Sequence, residues 1–285
     1  MKSYQLLWKR LTDLYDAGEA QAIVRMLLDV RFHLTLADIV SDGLEQLSAE
    51  NQVELEEMMS RLEKAEPVQY VLGQADFCGH TFHVEQGVLI PRPETEELCW
   101  WIVEEESKKN RRGCEVLDIG TGSGCIAVTM ALEIEAARVT AWDISEEALR
   151  IARDNAGQLG AHVSFVCQDA LQPPADKNLW DIIVSNPPYI AQREQAAMHH
   201  NVMDYEPQQA LFVSDEDPLL FYRAISHYAA KALRKDGTLY FEINPLYARD
   251  TCGMLESLGF QQVCLRDDSF GKQRFIQAKA PKTAQ

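Results

Sequence analysis

Two short clusters in this 285-residue chain combine residue types and spacing that can do chemistry. The first, Asn186-Pro187-Pro188-Tyr189, follows the apolar run Ile182-Ile183-Val184. Pro187 has no N–H and pushes Asn186 toward extended backbone. The Asn186 side-chain oxygen and the Pro187 main-chain carbonyl are then two free acceptors side by side. An NH2 group carries two donors and matches such a pair. Tyr189 is suited to stack on a flat amide or base. An amide nitrogen is a weak nucleophile because its lone pair is delocalised. Holding both N–H bonds turns its face toward an incoming group, and positioning of this kind contributes several kcal/mol, up to roughly 7–11 in ideal cases. No side chain stands out as a base. Taken alone, the same tetrapeptide also reads as a turn leaving a strand.

The second cluster is a glycine-rich turn, Asp118-Ile119-Gly120-Thr121-Gly122-Ser123-Gly124, after the strand Glu115-Val116-Leu117-Asp118-Ile119. Glycine permits a tight turn and close approach of a ligand, and the helix that follows offers free N–H groups. A dinucleotide fingerprint would place its third glycine at 125, but Cys125 stands there, and Gly124 makes the pattern G-x-G-x-G. A pyrophosphate would be repelled by Asp118, whereas a cationic sulfonium would tolerate it. The next strand ends in Asp143, an acid able to accept from both hydroxyls of a ribose. Asp143 is also a possible helix N-cap, although Ser145 is the better one. After the third strand, Asp169 can accept from an adenine amino group, and the small Ala170 leaves room for the ring. This constellation resembles the class I S-adenosylmethionine-dependent methyltransferases. The alternative is a nicotinamide or flavin domain.

The elements that position these clusters are legible in outline. Residues 1–66 read as a small helical domain. Ala22, Val24, Met26, Leu27 and Val30 recur at helical spacing, and Ser48 caps a helix with a Leu55-Met58-Met59-Leu62 stripe. Pro67 stops helical structure. Residues 67–93 read as a linker, in which Phe77, Phe82, Val84, Val88, Leu89 and Ile90, broken by Gly79 and Gly87, give a hairpin signature over 76–90. Residues 94–285 read as an α/β domain. Its strands are expected at 115–119, 138–142, 163–167, 181–185, 237–242, 261–266 and 273–278, and its helices from Glu94 and over 124–134, 145–158, 217–233 and 246–258. Such alternation builds a mostly parallel, seven-stranded, Rossmann-like sheet that binds ligands at the carboxyl ends of its strands. Leu98, Trp101 and Ile102 share a core stripe, and Trp100 and Trp101 are expected to pack rather than bind. The tail from Lys279 to Gln285 reads as frayed.

Composition narrows the function classes. Hydrophobic residues are 46% and charged residues 25%, and 44 acids against 27 bases give a formal charge of −17. That surface disfavours broad nucleic-acid binding. The seven cysteines are odd in number and contain no C-x-x-C pair, which argues against a disulfide framework or zinc ribbon and for a reducing, cytoplasmic setting. The N-terminus is a poor signal peptide, and no apolar run approaches the roughly 20 residues of a membrane helix. His199-His200 with Asp204 could be drawn as metal ligands but read as solvated, so no metal is expected. Glu104-Glu105-Glu106 before Lys108-Lys109 and Arg111-Arg112 reads as a solvated helix end.

The stretch Pro67-Val68-Gln69-Tyr70-Val71-Leu72-Gly73, with Phe77, Gly79 and Phe82, and above all Leu89-Ile90-Pro91-Arg92-Pro93-Glu94-Thr95-Glu96, resembles the signature of the HemK/PrmC family, the peptide chain release factor glutamine methyltransferases. The resemblance spans about 66–278. It implies transfer of a methyl group from S-adenosylmethionine, leaving S-adenosylhomocysteine, to the side-chain nitrogen of the glutamine in a Gly-Gly-Gln loop of bacterial class-1 release factors. It implies that Asp118, Gly120, Thr121, Gly122, Ser123, Gly124 and Asp143, with Asn186, hold the cofactor and that Asp169 and Ala170 sit near adenine. Asn186, Pro187, Pro188 and Tyr189 would hold the glutamine, and Arg92 and Glu94 would line the rim between domains. The partner is a release factor, with neither nucleic acid nor membrane, and the protein is expected to be a monomer. Three departures stand out. Glu242-Ile243-Asn244 replaces a usual Glu-Ile-Gly, Gln208 replaces an arginine after Glu206-Pro207, and 211–218 lacks its usual glycines. The last two fall within the 191–218 loop, where an acidic rim is expected to steer a partner. Rival readings are a ribosomal-protein glutamine methyltransferase, a DNA adenine methyltransferase and a non-catalytic binding module.

Overall fold

Local capping sets most of the N-terminal helices. Asp16 accepts from the N–H groups of Gly18 and Glu19 at the head of α2 (Ala17–Phe32), which follows α1 (Lys2–Lys9). Thr35 and Asp38 form a reciprocal capping box on α3 (Leu36–Val40), and Ser48 accepts from the Asn51 N–H to start α4 (Ala49–Leu62). The computed structural model describes residues 2–41, 43–109, 113–197 and 200–282. The α4 stripe of Leu55, Met58, Met59 and Leu62 is buried as expected. On α2 the buried face is instead Ala20, Val24, Leu27 and Leu28, whereas Ala22 and Met26 are exposed. At 100° per residue positions 20, 24, 27 and 28 share one side, and 22 and 26 fall opposite. Pro67 separates helices rather than ending them. It stands at the N-cap of α5 (Val68–Leu72), where a missing N–H is no loss.

The chain divides into two compact units, Met1–Gln74 with His199–Tyr205, and Ala75–Met198 with Glu206–Gln285. The hairpin joins β1 (Gln74–Phe77) to β2 (His80–His83) around Cys78 and Gly79, both at positive φ. Its second strand ends at His83, seven residues short of the expected limit. Val84, Val88 and Ile90 are buried outside any strand, and the Ile90 N–H donates to the Glu206 carboxylate at 3.2 Å. Helix α6 (Pro93–Ser107) then begins with proline in its first turn. Leu98, Trp101 and Ile102 face inward, with Trp101 edge-on to Tyr240 at 5.6 Å, while Trp100 is 43% exposed.

From here strands and helices alternate: β3 (Glu115–Ile119), α7 (Cys125–Glu133), β4 (Arg138–Asp143), α8 (Glu146–Leu159), β5 (Val163–Cys167) and β6 (Trp180–Ser185). An excursion follows through β7 (Ile190–Ala191), α9 (His200–Tyr205), α10 (Gln208–Leu211) and β8 (Phe212–Val213). Then come α11 (Leu220–Ala232), β9 (Leu233–Glu242), α12 (Ala248–Ser257), β10 (Gln261–Asp267) and β11 (Gln273–Lys279). The expected seven-stranded sheet forms in the order β10-β11-β9-β6-β3-β4-β5, with β11 antiparallel to both neighbours. β9 begins four residues earlier than its pattern suggested, at Leu233. Successive residues serve opposite cores, as pleating requires. Val116, Ile182 and Val184 pack toward α6 and α7, and Leu117, Ile119 and Ile183 toward α11 and α12. The basic pair Arg111-Arg112 and the last residues of the tail lie outside the described residues. Among those described, no helix is long and apolar enough to cross a membrane.

Gly124, at the head of α7, has φ +83°, and a Cβ there would stand 3.0 Å from the Ala152 Cβ of α8. Gly157, inside α8, has open space around it. Gly124→Ala should therefore lower stability by about 1–3 kcal/mol, and Gly157→Ala should raise it by roughly 0.5–1 kcal/mol. Thermal melts of the two variants beside the parent check the opposite signs.

Candidate active site

The sheet register brings the two sequence clusters together. Ile119 of β3 pairs with Ser185 of β6, so Gly120 and Asn186 leave the sheet side by side. The Ser185 hydroxyl donates to the Ile119 carbonyl at 2.6 Å, and the N–H groups of Gly120 and Thr121 both donate to the Trp142 carbonyl at 2.9 Å. Asp143, at the end of β4, accepts from the Gly122 N–H through Oδ2 and from the Ser145 N–H through Oδ1, each at 2.9 Å. Ser145 is the cap of α8, accepting from the Ala148 N–H. Burial raises the Asp143 carboxyl above its ordinary value, while N–H donors from Ser145, Gly122 and Ile144 hold it down. A carboxylate has about four lone-pair sites, so three N–H donors leave acceptor capacity for a ligand. Asp169 fixes its own turn by accepting from the Leu171 N–H at 2.8 Å and from Gln172 Nε2 at 3.0 Å.

These residues border a cavity of about 320 Å³, within the usual range for small-molecule sites. Gly120, Gly122, Asp143, Asp169, Ala170, Asn186, Pro187 and Pro188 are on its wall. No atom lies within 4 Å of where a side chain would project at Gly120 or Gly122. Asp118, Thr121, Ser123, Gly124, Tyr189, Arg92 and Glu94 are not on the wall. Asp118 is fully buried behind the turn, where its Oδ2 accepts from the Thr121 hydroxyl at 2.6 Å. Desolvation pushes its carboxyl up to about 7, against the pull of Thr121 and helped by Asp143. It tethers the turn instead of facing a ligand. The expected stacking role of Tyr189 meets a different geometry. Its hydroxyl donates to Glu242 at 3.0 Å and its carbonyl accepts from Asn244 Nδ2 at 3.1 Å. Arg92 pairs with buried Glu206, which also takes the Ile90 N–H, so it braces residues 88–92 against the chain at 206. Glu94 lies half-buried on the first turn of α6.

Sequence reasoning missed several wall residues, among them Val88, Ile144, Leu171 and Phe221. Ile144 is 51% exposed, and an apolar side chain directly after a strand-end acid was the available signal. It also missed Thr95 and Glu242. Thr95 accepts from Asn186 Nδ2 at 3.2 Å and donates to Glu242 at 2.6 Å. Asn244, standing where a glycine was expected, has φ −71° and so needs no glycine. Its Nδ2 binds both the Tyr189 carbonyl and Glu194, at 3.1 and 3.0 Å. Of the six acids in 191–218, Glu206 and Asp217 are paired with Arg92 and Arg223, while Glu194 and Asp215 accept from backbone N–H groups. Among the described residues, no cluster of three or more His, Cys, Asp or Glu side chains is placed to hold a metal ion; His199 lies outside them.

Two family models match, the methyltransferase small domain over residues 103–211 and the PrmC N-terminal domain over residues 6–73. The release factor glutamine methyltransferase of Bacteroides thetaiotaomicron is 46% identical over 94% of this chain and 95% of its own. This chain belongs to the release factor glutamine methyltransferase family. The enzyme of that name from Flavobacterium psychrophilum is 38% identical over 97% of this chain and 98% of its own. A solved ribosomal protein L11 methylase from Lactobacillus delbrueckii subsp. bulgaricus superposes with a TM-score of 0.48 at 21% identity, over 69% of this chain and 82% of its own. Family membership agrees with the strand order and with the cavity at the β3–β6 switch, the fold of a class I methyltransferase.

Asp118 generates a pH signature of the ligand-free protein. Its folded-state pKa of about 7 lies above the ordinary 3.8, so the folded state holds a proton that the unfolded chain has released. Its stabilising contribution is complete below about pH 4 and is lost as pH rises through about 7, roughly 4 kcal/mol in all. Asp118→Asn removes that dependence. The stability difference between parent and variant, measured by urea unfolding from pH 4 to 8, should slope downward for the parent; parallel curves would refute the assignment.

Proposed function

We propose that this enzyme transfers a methyl group from S-adenosylmethionine to the side-chain amide nitrogen of the glutamine in the Gly-Gly-Gln loop of bacterial class-1 release factors, acting as a monomer in the cytoplasm. The observation that carries the reading is the side-by-side exit of Gly120 and Asn186 onto one cavity, in a chain whose relatives bear the release factor glutamine methyltransferase name. The wall suits that cofactor. The space beside Gly120 and Gly122 is open, Asp143 keeps acceptor capacity for a ribose hydroxyl, and Ile144 and Leu171 offer apolar flanks to a flat base. The backbone of Gly120 and Gly122, with Asp143, Asp169 and Ala170, would hold it.

When bound, the cofactor would supply a methyl group already activated as a sulfonium; the N–CH3 bond forms as the S–CH3 bond breaks, with S-adenosylhomocysteine as leaving group and one amide proton lost. The chain's own contribution is placement. Asn186 Oδ1 and the Pro187 carbonyl accept the two N–H bonds of the glutamine amide, which fixes the nitrogen's open face toward the cofactor side of the cavity. Pro187 and Pro188 have no N–H to compete for those acceptors. Glu194 and Asn244 hold the chain after Tyr189, which keeps the tetrapeptide from flexing. Proline and cavity apolar groups limit water, and positional control of this sort accounts for rate without a nucleophilic residue.

The test is methyl transfer from labelled cofactor to an intact release factor, to the same factor with its loop glutamine changed to alanine, to a ribosomal protein and to duplex DNA. Label on the intact factor alone is expected. Asn186→Ala should lower kcat by about 10²-fold or more with cofactor affinity, by calorimetry, changed far less. Label on the ribosomal protein or on DNA would reassign the substrate.

A further inference from the structure

Glu242 ends β9 with its carboxylate buried, 2% exposed. One oxygen accepts from the Thr95 hydroxyl at 2.6 Å and the other from the Tyr189 hydroxyl at 3.0 Å. Thr95 Oγ1 in turn lies 3.2 Å from Asn186 Nδ2. These contacts have a direction. An ionised carboxylate only accepts, and a threonine hydroxyl has one proton. Glu242 takes that proton, so the Thr95 oxygen has only lone pairs to offer Asn186. Asn186 must answer with its NH2, and its carbonyl oxygen is turned to the opposite side of the amide.

The two ends of an asparagine amide are nearly identical in shape, so packing alone does not choose between them. The choice matters because the target nitrogen brings two donors. A flipped Asn186 would meet donor with donor. We propose that Glu242, acting through Thr95, is a positioning residue that locks the Asn186 amide with its oxygen toward the target nitrogen. This rests on the reading of Asn186 given under Proposed function. Tyr189 closes the same network from the far end of the tetrapeptide, so one carboxylate holds both its first and last residues.

The surroundings set when the lock holds. Tyr189 and Thr95 donate to Glu242. Arg274 of β11, itself bonded to Asp268 at 3.3 Å, adds positive charge. Glu94 of α6 adds negative charge, and the Tyr222 hydroxyl of α11 donates to the Glu242 main-chain carbonyl at 3.3 Å. Burial raises the Glu242 carboxyl above the usual carboxylate range, against the pull of Thr95, Tyr189 and Arg274. Once protonated, Glu242 can itself donate, the Thr95 proton is freed, and the Asn186 amide loses its preferred direction. Activity should therefore fall on the acid side before ordinary carboxylates titrate.

The experiment compares the parent with Glu242→Gln, Thr95→Val and Thr95→Ser, each first shown folded by circular dichroism. Thr95→Val and Glu242→Gln should lower kcat for methyl transfer to a release factor by about 10- to 100-fold, with cofactor affinity by calorimetry within about threefold. Thr95→Ser, which keeps the hydroxyl, should retain most activity. The acid limb of the parent's kcat–pH profile should vanish in Glu242→Gln. A second readout needs neither turnover nor a variant. The 15N side-chain amide resonances of Asn186 in the parent should titrate with the same midpoint as that limb. Parent-like kcat in Thr95→Val, or an unchanged acid limb in Glu242→Gln, overturns the inference. A parent that leaves the release factor unlabelled refutes the substrate reading instead, and Asn186 resonances that ignore pH then refute the lock separately.

Discussion

The parallel ladder between β3 and β6 is the constraint on which the catalytic unit depends. It is the place where the chain, having built outward through β4 and β5, returns and builds the other way. Only at such a switch do two strand ends open onto the same crevice without a covering connection. The register then fixes which residues emerge together, since Val116, Leu117, Asp118 and Ile119 oppose Ile182, Ile183, Val184 and Ser185. A slip of one residue would exchange the two buried faces, sending Ile183 toward the core that Ile182 and Val184 now fill, and would part Gly120 from Asn186.

Much of this was readable because the responsible signals are local. Apolar runs bounded by glycine or acid mark the strands, and Ser48 and Ser145 mark helix starts through hydrogen bonds only three residues long. What stayed hidden depends on partners far along the chain. Val88, Leu89 and Ile90 look like a strand until Glu206, 116 residues away from Ile90, takes its N–H. Thr95 and Glu242 are 147 positions apart, and neither looks chemical alone. The ring of Tyr189 was expected against a substrate, yet its hydroxyl is drawn to a carboxylate that no local pattern announces. On α2, Val24 and Leu27 are buried but Ala22 and Met26 lie on the solvent side, so apolar type alone does not mark the buried face of a helix.

Three acids, Asp118, Glu206 and Glu242, are buried close to the ligand-bearing loops. Taking a carboxylate out of water is unfavourable unless donors replace the lost solvent, and each is answered differently. Asp118 receives one hydroxyl and keeps a raised pKa. Glu206 receives a guanidinium and a backbone N–H. Glu242 receives two hydroxyls with a guanidinium nearby. Their common effect is to give loops the fixed geometry that helices and strands possess by themselves. Groups that hold a site open against its own collapse tend to weaken the fold as a whole, and the unfavourable burial of Asp118 is consistent with that trade.

The grouping of residues 199–205 with the first 74 carries a consequence for synthesis. The polypeptide leaves the ribosome from its N-terminus, so the helical unit's last element follows Gln74 by about 125 residues. At bacterial elongation speeds of about 5–20 residues per second, that is a wait of roughly 6–25 s. Through this interval the sheet's first strands, β3 to β6, are already available to pair, while the earlier unit stays one helix short. The unit that begins the chain is therefore completed only after four strands of the other unit's sheet have been made.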